Sequence, residues 1–350
     1  MVDTAALASK ILEGDRRMLA RAITLVESRR VDHRETAMLL LEALTRAAPD
    51  RQALRIGLSG TPGVGKSTFI ESFGLMLTAQ GLRVAVLAVD PSSARTGGSI
   101  LGDKTRMERL SRDPRAFIRP SPSQTHLGGV ARRTRDAVAL CEAADFDVVL
   151  IETVGVGQSE TVVAEVSDVF LLLLAPAGGD ELQGVKRGIM EVADMILVNK
   201  ADGDLKAAAN RTCADYAGAL RLLRRSPQDP EGYPRAMTVS ALHDEETAKS
   251  QAIAGRQTAV SGLAQVWEAI RALTDWRRDN GHWDTRRAAQ ARHWFMDEVR
   301  QGLLARLNTP EARAALETLG AEVAAGATTP GRAATVLLHD HLPQNAKANG

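Results

Sequence analysis

"LRIGLSGTPGVGKST", residues 54–68, sets a short apolar run directly before a glycine-rich turn that closes on Gly-Lys-Ser-Thr. The turn satisfies G-x-x-x-x-G-K-[ST] through Gly60, Gly65, Lys66 and Ser67. Average composition yields such a match by chance in roughly 1 of 100 chains of this length. Here the motif also has the context it needs, an apolar strand before it and a helical segment after it. Glycines let backbone N–H groups wrap a phosphate, and the helix that opens at the turn adds the positive end of its dipole. The candidate nucleotide contacts are therefore Gly60, Thr61, Pro62, Gly63, Val64, Gly65, Lys66, Ser67 and Thr68. Lys66 can reach the outer phosphates, Ser67 can offer a hydroxyl to Mg²⁺, and Thr68 supports the same turn.

Outward from this turn, apolar runs alternate with helical segments. The runs are "LRIGLS" (54–59), "RVAVLAVD" (83–90), "FDVVLIE" (146–152), "VFLLLLAP" (169–176), "MILVNK" (195–200) and "RAMTVSAL" (235–242). Continuous rather than alternating hydrophobicity suits strands buried on both faces, so the expected fold is α/β, a P-loop NTPase with a mostly parallel sheet covered by helices. Before the sheet, Leu7 and Ile11, then Met18, Ala22 and Leu25, then Met38, Leu41 and Leu44 recur at helical spacing. After it, Ala288, Ala291, Phe295, Val299, Leu303 and Leu307 form another stripe, which fits packing on its own chain and a subunit interface equally well. The expected organisation is an N-terminal helical extension (1–50), a nucleotide-binding domain (51–275) and a C-terminal helical region (276–350) with a frayed tail.

Composition bounds the function. Forty-four Lys and Arg stand against 43 Asp and Glu, so bulk charge supports neither nucleic acid nor an anionic membrane surface as partner. No charged-then-apolar leader opens the chain and no run of about 18 apolar residues occurs, so neither export nor membrane spanning is expected and the default compartment is the cytoplasm. Cys141 and Cys213 lie far apart with no CxxC pattern, which argues against a disulfide framework or structural zinc and for two buried thiols.

A second motif, "NKAD", covers Asn199 to Asp202 at the end of a later run, where an open α/β sheet gathers its ligand. Asp202 can accept hydrogen bonds from N1 and N2 of guanine, whereas adenine would leave that carboxylate unpaired, so GTP and GDP are favoured over ATP. "SAL", Ser240, Ala241 and Leu242, can supply a backbone contact to the guanine oxygen. Between the motifs lies "DVVLIETVGVGQSE" (147–160), which ends a buried run on Glu152. That carboxylate can hold Mg²⁺ directly or through water, and Gly155 can place its N–H on the γ-phosphate. Asp90 in "VDPSS" and Asp103 in "GGSILGDKTRM" are further acids; the first also suits a helix N-cap and the second an ordinary loop. Lys66, Glu152 and Asp90 are the candidate catalytic residues. Val156 follows Gly155, so no glutamine immediately after the glycine orients the attacking water. Gln158 is a candidate by proximity only, and slow unaided hydrolysis is expected.

Taken together, "GTPGVGKST", "VDPSS", "GDKTRM", "HLGGVA", "ETVGVGQSE", "AGGDELQGVKRGIME" and "NKAD" resemble the MeaB/MMAA/ArgK family of P-loop GTPases over residues 5–340. The resemblance implies a homodimeric GTPase that binds methylmalonyl-CoA mutase, gates its adenosylcobalamin loading and protects or reactivates it. It assigns Mg²⁺ to Ser67, Asp90, Asp103 and Glu152, and guanine to Asn199, Lys200 and Asp202. It also implies a switch signalling to the mutase at "GGDELQGVKRG" (178–188), with Asp180, Glu181, Gln183, Lys186 and Arg187; on charge alone this stretch reads as a solvated loop. The chain departs from the family in a polar stretch, 243–262, after "SAL", which is expected to be a surface excursion.

Rival readings are a P-loop kinase, against which "NKAD" counts, and a nucleotide-switched binding module for another partner. A cobalamin-binding mutase would need D-x-H-x-x-G, but around His126 the chain reads "QTHLGG" with Gln124 in the aspartate position.

Overall fold

The computed structural model describes residues 3–28, 30–89, 107–120, 127–153, 159–176, 187–222, 226–242 and 262–341. The described chain falls into two compact units, 1–287 and 288–350.

The first unit opens with three helices, α1 (Thr4–Leu12), α2 (Arg16–Glu27) and α3 (Val31–Ala47). Asp3 and Asp15 cap the first two, each carboxylate accepting from backbone N–H groups one turn on. Of the expected stripe Met38, Leu41 and Leu44 on α3, Leu44 is buried, Leu41 half-buried and Met38 exposed; the buried face is Ala37, Leu40 and Leu44.

The sheet has seven strands, β1 (Leu54–Ser59), β2 (Val84–Val89), β3 (Ala116–Pro120), β4 (Val148–Thr153), β5 (Val169–Leu174), β6 (Met195–Val198) and β7 (Arg235–Thr238), in the order β3-β2-β4-β1-β5-β6-β7. Every pairing is parallel. Six strands coincide with the apolar runs. The seventh, β3, is an edge strand of only five residues ending in Pro120, a position where a missing N–H costs no ladder bond. The helices are α4 (Lys66–Ala79), α5 (Glu108–Arg112), α6 (Leu127–Ala143), α7 (Ser159–Val166), α8 (Arg187–Val192), α9 (Lys206–Leu222) and α10 (Leu263–Asp279). A core of Ile56, Leu58, Phe69, Phe73, Leu150, Leu171, Leu197 and Ile270 fills the space between sheet and helices. Cys141 is buried, but Cys213, on α9, is only half-buried, contrary to the expectation of two buried thiols.

At the amino ends of β5 and β6 a buried ionic net ties α10 to the sheet. The Arg277 guanidinium donates to Asp194, Asp229 and the Asp168 carbonyl. Arg287 donates to both carboxylate oxygens of Asp168, and Arg55 donates twice to Glu142.

Helix α11 (His282–Arg306) begins in the first unit. The second unit contains its remainder with α12 (Pro310–Ala324), α13 (Pro330–Val336) and a wide final turn, 337–341. Two Thr-Pro pairs start α12 and α13: Thr309 and Thr329 accept from the N–H groups of Ala312 and Arg332, and proline occupies the first helical position, where no N–H is needed. Ala312, Ala333 and Leu337 are buried within it.

Candidate nucleotide site

Parallel strands place all their carboxyl ends on one rim, and the middle of that rim is where β1 runs into the glycine-rich turn. Gly60 has φ +153°, and a Cβ there would lie 2.3 Å from the Leu173 carbonyl oxygen. Gly65 has φ +91°, caps α4 without a side-chain bond, and would drive a Cβ to 2.7 Å from Asn199 Nδ2. Only glycine fits at both, and the first N–H groups of α4 open toward the turn.

Lys66 is buried, and its Nζ donates to the carbonyls of Gly60 at 2.6 Å and Thr61 at 3.3 Å. Burial pulls this ammonium below the usual lysine range, while the negative charges of Glu152 and then Glu160 pull it back. Glu152 sits at the carboxyl end of β4, paired in register with Leu58 of β1 and Ala88 of β2, and is 4% exposed. The strand order therefore seats this carboxylate beside the phosphate loop. Thr153 donates to the Ser59 hydroxyl at 3.1 Å, linking the two strand ends.

On the other flank, Asn199 follows β6 and joins three segments. Its Nδ2 donates to the Val64 carbonyl at 2.8 Å and its Oδ1 accepts from the Ala241 N–H at 3.1 Å. Lys200, with φ +58°, donates from Nζ to the Gly63 carbonyl at 2.7 Å. The Ser240 hydroxyl donates to the Asp202 carboxylate. Ala241 is buried, whereas the Leu242 side chain is exposed.

The structure thus gathers Gly60 to Thr68, Glu152, Asn199, Lys200, Asp202, Ser240 and Ala241 along one rim. Asp90, Asp103, Gly155, Asp180, Glu181, Gln183 and Lys186 lie outside the described residues, and Arg187 is described only as the first residue of α8. Two residues were not picked out from sequence. Glu160, the last letter of "GQSE", is buried in the first turn of α7 and faces Lys66 electrostatically. Ser72 carries no motif letter, and only the fold brings it to the "SAL" loop.

Mg²⁺ fits this donor chemistry: a hydroxyl and a buried carboxylate are hard oxygen donors, with Ser67 opening α4 and Glu152 next to β1. Among the described residues, no three Asp, Glu, His or Cys side chains cluster as a self-sufficient metal site.

The family profile described as "Methylmalonyl Co-A mutase-associated GTPase MeaB" matches residues 19–312. The chain is 46% identical over 337 residues to the mitochondrial methylmalonic aciduria type A homolog of Mus musculus, covering 94% of this chain and 77% of that protein. It is 45% identical over 307 residues to GTPase ArgK of Escherichia coli, covering 87% of each. Among solved structures, one described as a LAO/AO transport system kinase superposes with a TM-score of 0.71 at 34% identity, covering 97% of this chain and 98% of that one. With a P-loop, a parallel sheet and a profile match over most of its length, the chain belongs to the MeaB family of P-loop GTPases.

Proposed function

We propose that the chain hydrolyses GTP to GDP and phosphate and uses the change of nucleotide to act as a chaperone of methylmalonyl-CoA mutase, gating adenosylcobalamin loading and protecting or reactivating the mutase. One observation carries the nucleotide part: Asn199 bonds both the glycine-rich turn at Val64 and the "SAL" loop at Ala241, so the two segments proposed for the phosphate and guanine ends of one ligand are joined by a single side chain. Family membership supports the partner.

In this reading Lys66 leaves the carbonyls of Gly60 and Thr61 for the β- and γ-phosphate oxygens, and the loop N–H groups stabilise charge on the phosphoryl group in transfer. Ser67, Glu152, Asp90 and Asp103 would hold Mg²⁺, which supplies charge neutralisation on the phosphates. Asp202 reads the guanine edge, oriented by Ser240. Segment 178–188, with Asp180, Glu181, Gln183, Lys186 and Arg187, carries the signal to the mutase. The proposed compartment is the cytoplasm.

A second copy of the chain is the proposed partner of the apolar stripe on α11, where Phe295, Val299 and Leu303 are exposed. The alternative reading is a P-loop kinase, which would transfer the phosphoryl group to a substrate instead of water. Phosphate release equal to GDP formation, with no acceptor added, supports hydrolysis.

The deciding experiment measures GTP turnover and complex formation with and without purified methylmalonyl-CoA mutase. Faster turnover and nucleotide-dependent binding are expected. Unchanged turnover together with no binding in either nucleotide state would sink the mutase assignment.

A further inference from the structure

Hydroxyls on the helices of this chain mostly turn back on their own backbone. Thr24, Thr36 and Thr134 each donate to the carbonyl four residues earlier, and Thr318 and Thr335 do the same. That is the local default for a hydroxyl in a helix. Ser72, on the helix that Lys66 opens, does otherwise: buried, it donates across 169 residues to the carbonyl oxygen of Ala241 at 2.6 Å.

That carbonyl belongs to the peptide joining Ala241 to Leu242. Among the described residues the only cis bond is Tyr233–Pro234, so this peptide is trans and its N–H points opposite to its C=O. Gripping the carbonyl from the α4 side therefore aims the Leu242 N–H away from α4. The neighbouring N–H, that of Ala241, is already given to Asn199 Oδ1. The Ala241 residue is thus held on both edges, by Asn199 through its N–H and by Ser72 through its C=O.

Gly262, where the described chain resumes, has φ +75°, and a Cβ there would lie 2.8 Å from the Thr238 carbonyl oxygen. Gly262 therefore sits against the carboxyl end of β7, after which Leu242 also follows.

We propose that Ser72 is a positioning residue for base recognition: by holding the Ala241 carbonyl it directs the Leu242 N–H at O6 of a bound guanine. The proposal rests on the guanine-site reading above. It separates the work of two groups, Asp202 acting on the N1 and N2 hydrogens and the Ser72-held peptide acting on O6.

The test compares dissociation constants of the full chain, with Mg²⁺, for GDP, for inosine diphosphate (O6 kept, 2-amino group lost) and for 2-aminopurine riboside diphosphate (O6 and the N1 hydrogen lost, 2-amino group kept), each nucleotide being compared with itself between parent and variant. Ser72→Ala is expected to weaken GDP and inosine diphosphate alike, by about tenfold, and to leave the 2-aminopurine nucleotide within about twofold. Ser72→Thr, which keeps the hydroxyl, should restore the parent pattern. Equal weakening of all three nucleotides, as a general loosening of the fold would produce, overturns the proposal, and so does no change in any. The underlying site is checked separately with Asp202→Asn: if the preference for GDP over inosine diphosphate is absent in the parent or survives this change, the guanine site itself falls.

Discussion

Lys66 is a buried cation held by main-chain carbonyls. Its ammonium bonds the carbonyls of Gly60 and Thr61 in a buried setting, with Glu152 and Glu160 as the nearby negative charges that ease its desolvation. Placing a cation there is costly without phosphate, so the residue trades stability for function. Replacing it with methionine, of similar length, is expected to abolish GTP hydrolysis, by about a hundredfold or more, without lowering the thermal midpoint of the nucleotide-free protein. Its folded-state pKa is depressed by burial, so the burial penalty is full below the depressed value and fades as pH rises from there toward the ordinary 10.5. The stability advantage of Lys66→Met should shrink over that window in calorimetry. A variant less stable than the parent at neutral pH would show that the two carbonyl bonds outweigh the desolvation. At this scale the motif residues were legible because their chemistry dictates their spacing. Ser72 was not, because a serine in a helix has a local partner by default and only the fold brings Ala241 within reach.

At the scale of elements, what holds the rim steady lies at the opposite ends of the strands. Asp168 and Asp194 precede β5 and β6, and Arg277 of α10 reaches both, together with Asp229. Arg277 is 3% exposed, so its loss leaves uncompensated carboxylates in the interior. Arg277→Met is expected to cost about 3–5 kcal/mol of unfolding free energy, read from urea denaturation. GDP affinity measured well below the transition should be unaffected, because the net is remote from the phosphate loop. Strands β1, β2, β4, β5 and β6 were readable since each is an apolar run buried on both faces. Strand β3 was not: "AFIRP" has one covered edge, an arginine and a terminal proline, and its apolar content is no greater than that of many loops. The helical stripes were visible as periodicity, but their phase was less certain. In α3 the apolar run "AMLLL" offers several faces, and only packing selected Ala37, Leu40 and Leu44.

For the whole molecule, the apolar stripe left exposed on α11 bears on assembly. Phe295 is 66% exposed and Leu303 52% exposed, large apolar side chains two turns apart on α11. Phe295→Glu combined with Leu303→Glu is expected to convert a dimer to a monomer in light scattering, with GDP binding retained. A parent that is already monomeric at micromolar concentration would remove this stripe from the interface. Among the described residues no helix is long and apolar enough to cross a membrane. The sequence by itself determined the P-loop motif, the place of "NKAD" at a strand end, the parallel α/β class and the family, because each rests on short-range spacing or on hydrophobic runs that survive without coordinates. Only the tertiary structure decided the strand order that seats Glu152 beside the phosphate loop, the burial of Glu160 next to Lys66 and the reach of Ser72 to Ala241. Those depend on which distant segments share a rim, and local spacing carries no record of that.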